Sequence, residues 1–230
     1  MNFLQVTLYL LDGFKLTCLL FACTLVISLP LGLLISFCTM SKIKPVSYIF
    51  RVIVWIVRGI PLMLQIFIIY FVPGFLLNFN PFAKVDTFFF LNTGMKDAGR
   101  FIAVVIAFSF NYACYFSEIF RGGIQSIPNG QYEACAVLGM TKRETFFHIV
   151  LPQVIKRIVP PMSNEVITLV KDTALSRVIL VSELIMQAEK LMASALIWPL
   201  FYSGAFYLIF VGVLTLLFNY IEKKLSYYKV

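Results

Sequence analysis

The feature that most constrains this chain is residues 16–40, an apolar block without a single charged side chain. A helix needs about 20 apolar residues to cross a hydrocarbon core of about 30 Å, so this block can span a bilayer. The whole chain is 60% hydrophobic and 13% charged, whereas an average soluble domain is about half apolar and about a quarter charged. The composition therefore predicts an all-α integral membrane protein.

Further apolar blocks follow along the chain, and together they predict about five transmembrane helices in one domain, 1–230. The predicted spans are 16–40, 52–77, 98–120, 158–173 and 195–220. Residues 1–15 are expected to form an outer N-terminal segment. Pro30 lies inside the first span, which membrane helices tolerate. Residues 181–194 carry charges among apolar residues, a pattern that predicts a short amphipathic helix at an interface.

The basic residues predict the orientation of the spans. Of the 19 Lys and Arg residues, 12 fall on one side of the five-span layout and 7 on the other. The positive-inside rule then places the N-terminus outside and the C-terminus in the cytoplasm. The net charge of +8 is spread through the chain without a basic stripe or a nucleic-acid motif, so we expect no nucleic-acid partner.

The longest predicted cytoplasmic segment, 121–153, has a pattern of its own. Residues 128–130, Pro-Asn-Gly, predict a turn, and residues 131–138 are helix-prone. Gly139 can supply a break, and Thr141 with Glu144 three residues later forms a capping-box pattern. The segment therefore predicts two short helices joined at Gly139, although a solvated loop with a little helix is the alternative.

The first of these helices has the features of a docking surface. Its small residues beside Glu133 would let another protein's backbone approach closely, and its apolar residues would offer anchors. The small residues are Ala134, Cys135 and Ala136, and the anchors are Val137, Leu138 and Met140.

The same segment resembles the EAA loop of membrane subunits of binding-protein-dependent ABC importers. The matching residues are Glu133, Ala134, Gly139, Ile149, Leu151 and Pro152, with Cys135 where Ala is usual. Residues 58–71, 118–128 and 164–179 resemble stretches of the polar amino acid permeases, of histidine, glutamine or arginine type. The resemblance covers the chain from about Gly13 to the last span.

The resemblance implies the transmembrane domain of a type I ABC importer in the bacterial cytoplasmic membrane. It implies a second permease subunit, identical or paralogous, a dimer of ATPase subunits and an extracytoplasmic solute-binding protein. The chain has no phosphate-binding loop of the GxxxxGK[ST] type, so ATP and Mg²⁺ are expected on the ATPase and no cofactor or metal on this chain. The residues expected to couple to the ATPase are Glu133, Ala134, Cys135, Leu138, Gly139, Ile149, Leu151 and Pro152.

Polar residues inside predicted spans mark a candidate substrate path, because ionisable groups at membrane depth face the bundle interior or a wet cavity. Glu165 and Asp172 are seven residues apart with Thr168 between them, which places all three on one helix face. They could contact an ammonium or guanidinium group. The alternative is that Lys171 neutralises Asp172 at the outer end of the span. Gln65 and Asn164 complete the predicted path.

Three other polar residues are expected to have structural roles. Arg58 is predicted to extend to the cytoplasmic interface. Glu118 can pair with Arg121 three residues later. His148, the only histidine, has no neighbouring catalytic partner and is expected on the surface of the docking loop.

Two other functional classes remain as alternatives to an importer subunit. A secondary transporter or channel subunit would explain the spans but would not need an EAA segment. A membrane enzyme would normally show a pattern such as HExxH or GxSxG, and neither occurs. The sequence predicts that a polar or charged amino acid is translocated, and it leaves glutamine, glutamate, arginine, histidine and cystine open.

Overall fold

The computed structural model describes residues 2–93, 97–193 and 195–225, and every regular element in these ranges is helical. The α-helices are α1 Phe3–Thr39, α2 Lys44–Gly59, α3 Leu62–Leu77, α4 Pro81–Thr93, α5 Ala98–Gln125, α6 Asn129–Val137, α7 Lys142–Glu144, α8 Leu151–Asp172, α9 Leu184–Met192 and α10 Trp198–Leu225. A π-helical turn, Thr145–Val150, joins α7 to α8, and a 3₁₀ helix, Thr173–Ile179, follows α8.

The centre of the fold is the long contact between α1 and α5. A Cβ atom on Gly32 of α1 would lie 2.9 Å from the carbonyl oxygen of Ala113 and 2.9 Å from Cβ of Phe116. Only glycine permits this approach, and small residues at such crossings let membrane helices pack closely. Leu20, Phe108 and other fully buried side chains continue the contact toward the start of α5.

The predicted second span, 52–77, is not one straight helix. It divides between α2 and α3, which meet at an angle of 104° across Gly59–Pro61. Proline lacks an amide hydrogen and disfavours helical conformation in the residue before it, so the chain breaks here. The Nε2 group of Gln65 donates hydrogen bonds to the carbonyl oxygens of Val57 (2.8 Å) and Ile60 (2.9 Å). These bonds satisfy carbonyls that the break leaves without helical partners.

The helix after Gly139 is longer than the sequence pattern predicts. The path from Lys142 through the π-helical turn and α8 to Asp172 is continuous helix, so the second of the two predicted short helices merges with the predicted span 158–173. Pro160 and Pro161 lie inside α8. Each removes a backbone donor, which makes this pair the place where the long helical path can bend.

The predicted helix in 181–194 exists as α9, but its apolar face is covered by the chain itself. Leu184, Ala188 and Leu191 are buried against α1 and α10. The fully buried carboxylate of Glu183 caps the helix by accepting the amides of Ile185 and Met186, both at 2.8 Å. The helix is therefore part of the bundle. Ser194, the last residue of the predicted segment, lies outside the described residues.

Within the described ranges, α1, α5 and α10 are long and apolar enough to cross a membrane, and α2 with α3 adds a fourth span if the bent pair counts as one. The predicted fourth span lies in α8, which contains five charged residues and is therefore less apolar than these spans. Helix α1 begins at Phe3, so most of the predicted outer segment 1–15 is helical and continuous with the first span. Lys96 and Lys229, used in the charge count, lie outside the described residues.

Candidate functional site

A polar cavity of about 570 Å³ opens where the break between α2 and α3 meets α5 and α8. Gly59, Ile60 and Pro61 of the bend form part of its wall. The polar side chains in its wall are Arg58, Asn111, Tyr112, Tyr115, Glu165, Thr168 and Asp172. The cavity thus holds one guanidinium and two carboxylates.

The two carboxylates lie on one face of α8, as their spacing predicts. Glu165, Thr168 and Asp172 all line the cavity. The phenol of Tyr112 donates a 2.7 Å hydrogen bond to Oδ2 of Asp172. Lys171 is exposed and forms no ion pair within the described part of the chain. The direct hydrogen-bond partner of Asp172 is therefore Tyr112, and the alternative that Lys171 neutralises the charge of Asp172 stays open.

Two residues of the predicted path lie elsewhere. Gln65 is buried behind the helix break, where its amide binds backbone carbonyls instead of facing the cavity. Asn164 is exposed on α8 and is not part of the cavity wall. The bend explains the error for Gln65, because the seven-residue spacing to Arg58 describes one helix face only in a continuous helix.

Arg58 lines this cavity, and its predicted extension to the cytoplasmic interface stays a prediction. Its Nη1 lies 3.9 Å from Oε2 of Glu118, and its guanidinium carbon lies 5.0 Å from the ring centre of Tyr115. Glu118 also accepts two hydrogen bonds from Arg121, at 3.0 and 2.5 Å, which confirms the predicted local pair. Arg58 therefore shares Glu118 with Arg121.

A second cavity, of about 370 Å³, adjoins the first on the side of Arg157 and the end of α5. Arg58, Tyr115 and Glu165 line both cavities. These three side chains therefore form the boundary between the two chambers, and a solute moving from one chamber to the other passes them.

The sequence prediction missed Tyr112 and Tyr115 as parts of the cavity wall. Asn111, Tyr115 and Glu118 are spaced i, i+4 and i+7, which is one polar stripe on α5 and a signal that could have revealed Tyr115. Tyr112 carries no such signal, because its partner Asp172 lies 60 residues away in sequence.

The segment after α5 forms the predicted helix α6 and ends it at Gly139. The amide of Gly139 donates to the carbonyl of Ala136 at 3.1 Å, and the amide of Met140 donates to the carbonyl of Cys135 at 3.0 Å. Gly139 has a φ of +72°. These two bonds and the left-handed residue form a Schellman motif, which closes a helix end where a side chain would be strained.

The exposed surface of α6 and its C-terminal end carries four of the eight expected coupling residues, Glu133, Ala134, Leu138 and Gly139. Val137 is 89% exposed, and Glu133, Ala134 and Leu138 are also exposed. Cys135 is only 4% exposed. Its side chain faces this chain rather than a partner, so the expectation that its small size favours close approach of another backbone does not hold.

The base of α6 is fixed to the ends of α5 and α8. The apolar side chains of Ile127, Val150 and Val154 are buried together beneath it. Arg157 donates to the carbonyl oxygen of Ser126, and Gln153 donates to Gln131 at 3.3 Å. Ile149, Leu151 and Pro152 are half-buried in this base. These three residues are therefore not part of the exposed face of α6.

The capping box begins the helical path that follows Gly139. The carboxylate of Glu144 accepts from the amide of Thr141 at 2.8 Å and from its hydroxyl at 2.7 Å, and the Glu144 amide returns a bond to that hydroxyl. The hydrogen bonds from Thr141 lower the pKa of the Glu144 carboxyl below its usual range. His148 is exposed one turn further on, as predicted.

A cavity lined by charged residues and an exposed helix fixed at its base are features that suit a membrane transport subunit. A match to a known protein family identifies the chain as such a subunit. Residues 28–227 match the family of binding-protein-dependent transport system inner membrane components. The chain belongs to this family. It is the membrane permease subunit of a transporter that works with a separate ATPase, and an uncoupled secondary transporter or channel is not favoured.

Relatives of this inner membrane component extend the similarity over nearly the whole chain. The L-cystine transport system permease protein TcyB of Bacillus subtilis (strain 168) is 38% identical over 86% of this chain and 78% of its own length. The arginine transport system permease protein ArtQ of the same strain is 33% identical over 95% of this chain and 93% of its own length.

The fold of a solved relative agrees with that of this chain. The crystal structure of an amino acid ABC transporter with histidines has a TM-score of 0.78 and 28% identity, and the match covers 97% of this chain and 99% of that one. The inner membrane component therefore has the fold of a type I importer transmembrane domain, as the EAA-loop resemblance implied.

Proposed function

We propose that this permease subunit translocates a polar or charged amino acid across the cytoplasmic membrane by alternating access, and that the solute passes through the two adjoining cavities. The single observation that carries the proposal is the set of charges in the larger cavity, whose wall contains Arg58 together with Glu165 and Asp172. A free amino acid has at least one carboxylate and at least one ammonium group. The arrangement suits such a solute.

The roles follow from charge and position. Glu165 and Asp172 are proposed to receive the ammonium group, or a cationic side chain, and Arg58 the carboxylate. Asp172 is held in place by Tyr112. Glu165 borders both chambers, so it can stay in contact with the solute during passage. The similarity to permeases named for L-cystine and arginine supports an amino acid as the solute.

The proposed assembly has two membrane subunits, an ATPase dimer that binds ATP and Mg²⁺, and a solute-binding protein on the outer side. With the N-terminus outside and the C-terminus in the cytoplasm, α6 projects toward the ATPase. Its exposed Glu133, Val137 and Leu138 then form the contact. Because the helical path from Lys142 to Asp172 is continuous, movement of the ATPase can reach the cavity along it, reduced by any bending at Pro160 and Pro161.

The experiment compares Glu165→Gln and Glu133→Lys in liposomes that contain the complete transporter. ATP hydrolysis, retention of the ATPase and amino acid uptake are measured side by side. Glu165→Gln is expected to assemble normally but to transport poorly or with altered preference, because it removes a charge from the cavity only. Glu133→Lys is expected to lose the ATPase or its coupling. If Glu133→Lys keeps full uptake while Glu165→Gln loses the ATPase, both assignments are wrong.

A further inference from the structure

Helix α2 presents an apolar face that no described part of the chain covers. Trp55 is 76% exposed and Tyr48 is 71% exposed. These two residues are seven apart, as are the exposed Ile49 and Ile56, so the four side chains form one stripe along the helix. The opposite side of the helix is buried through Ser47 and Val54. The stripe is therefore a true outer surface of the fold.

The segment that leads into α2 and the helix itself are strongly basic. Residues 41–59 contain Lys42, Lys44, Arg51 and Arg58 and no acidic residue. Arg51 donates to the carbonyl oxygen of Thr39 at 3.2 Å, and Arg58 lies near Glu118. Lys42 and Lys44 are exposed and make no ion pair within the described ranges. Two lysines thus stand free at the start of an amphipathic helix.

The position of α2 relative to its neighbours gives its orientation. The hydroxyl of Ser47 donates to the carbonyl oxygen of Thr39 at 2.6 Å, so α2 starts beside the end of α1. In the proposed topology that end of α1 is cytoplasmic. Helix α3 is apolar on all sides, as a membrane-crossing segment is, and α2 meets it at 104°. A helix at nearly a right angle to a crossing segment runs close to the membrane plane.

We propose that α2 lies in the cytoplasmic interface of the bilayer, with its apolar stripe in the lipid, and that Lys42 and Lys44 bind anionic phospholipid headgroups. Tryptophan and tyrosine favour the headgroup level, and an amphipathic helix with lysines binds anionic surfaces through both faces. The inference rests on the proposed orientation of the chain but does not depend on the transported solute.

The charges near the apolar stripe of α2 indicate that it is covered by the bilayer and not by a second copy of this chain. Residues 41–59 contain basic residues and no acidic one, so a second copy of α2 packed on this stripe in either direction would meet only like charges, which are unfavourable in an interface. The cytoplasmic leaflet instead offers negative headgroups. The lipid surface therefore fits both the stripe and its basic start.

The test uses the two tryptophans of the chain. A Trp198→Phe variant leaves Trp55 as the only tryptophan of this subunit, and it is assembled with an ATPase made free of tryptophan by substitution with phenylalanine. The complex is placed in nanodiscs that contain brominated phosphatidylcholine or brominated phosphatidylglycerol, and quenching of the fluorescence is measured. We expect quenching by both lipids, with half-maximal quenching at an about fivefold lower fraction of the anionic lipid.

Matched variants assign that preference to the lysines. In the Trp198→Phe background, Lys42→Gln with Lys44→Gln is expected to abolish the preference for phosphatidylglycerol while quenching by phosphatidylcholine persists. Lys42→Arg with Lys44→Arg should retain the preference. A Trp55→Phe variant retains only Trp198, and the fluorescence of Trp198 should show no preference for phosphatidylglycerol. Lack of quenching of Trp55 by either lipid would mean that protein covers the stripe, and equal quenching by both lipids would remove the headgroup site; either result overturns the proposal.

Discussion

The hydroxyl of Tyr112 on α5 and the carboxylate of Asp172 at the end of α8 form a 2.7 Å hydrogen bond across the wall of the polar cavity. Tyr112 is almost completely buried, whereas Asp172 is half-buried and faces the cavity. The tyrosine therefore fixes one of the two carboxylates from behind. A solute that meets Asp172 meets a group already held in one orientation, which reduces the entropy lost on binding.

Replacing Tyr112 with phenylalanine should weaken the solute interaction more than the fold. The ring still fills its buried site, but Asp172 loses a charge-assisted hydrogen bond, an interaction of about 1.5–3 kcal/mol. We expect the apparent KM for uptake to rise by about tenfold while assembly with the ATPase persists. Tyr9→Phe is the control, since Tyr9 lies on α1 outside both cavities and no hydrogen bond of its hydroxyl is seen in the described ranges. Similar uptake defects in both variants would contradict the positioning role of Tyr112.

Gly139→Val should disturb the end of α6, because a β-branched residue at a φ of +72° is strained by about 1–2 kcal/mol or more. The Schellman motif would then shift, and with it the exposed face that is proposed to dock on the ATPase. We expect reduced retention of the ATPase in detergent and slower uptake. Gly130→Ala is the matched control, because a Cβ there enters open space without positive φ. Unchanged retention in Gly139→Val would remove this role for the turn.

Cysteine labelling should separate the two sides of α6. In a variant without the other native cysteines, an Ala134→Cys substitution paired with Cys135→Ser should react rapidly with a membrane-impermeant maleimide from the cytoplasmic side. Cys135 alone should react at least about tenfold more slowly, since exposure of the thiol controls its reactivity. Rapid labelling of Ala134→Cys from the outside only would invert the proposed orientation, and equal rates would show that Cys135 is accessible.

Protection of the amides after Thr141 should depend on pH through the Glu144 carboxyl. Its pKa is lowered by the hydrogen bonds from Thr141, so the stabilisation is complete above the unfolded value of about 4.3 and is lost as the pH falls through the lower folded value. Hydrogen exchange of residues 142–150, corrected for the intrinsic pH dependence, should show less protection at the acidic end. Glu144→Ala should lack the protection that the Glu144 carboxylate supplies, at every pH. If the difference in protection between the native chain and Glu144→Ala did not change with pH, this account would be contradicted.

Charge reversal at Glu133 should reduce binding of the ATPase by an amount typical of a lost interfacial charge contact, about 2–5 kcal/mol. Glu133 is exposed and has no ion pair within the described chain, so the loss arises at the partner and not in the fold. Glu133→Gln, which preserves shape, should retain more of the affinity than Glu133→Lys. Affinity is measured by titrating labelled ATPase onto the permease in nanodiscs. Equal affinities for Glu133→Lys and the native chain would place the contact elsewhere.

Local sequence signals predicted the coupling segment well. Thr141 and Glu144 form the capping box that their spacing indicates, and Gly139 ends α6 with a positive φ. These features depend on residues within a few positions of one another, where backbone geometry leaves few possibilities. The shared helix face of Glu165 and Asp172 was predictable for the same reason.

Contacts between distant segments were not predictable from one sequence. The pairing of Tyr112 with Asp172, and the burial of Cys135, are decided by how helices pack and not by local pattern. The turn at Gly59–Pro61 was visible as an interruption, but its angle was not. Since Gln65 binds the backbone carbonyls at that bend and does not line the cavity, the unknown bend explains why its predicted place in the path was wrong.

The unbroken helical path from Lys142 to Asp172 acts as a lever arm for the cavity. At a rise of about 1.5 Å per residue, Glu165 lies about 35 Å from Lys142, so a tilt of about 5° displaces its carboxylate by about 3 Å. That displacement equals the length of a hydrogen bond. A small rotation at the docking end is therefore sufficient to make or break a contact with the solute, and Pro160 and Pro161 set how much of that rotation is absorbed before it arrives.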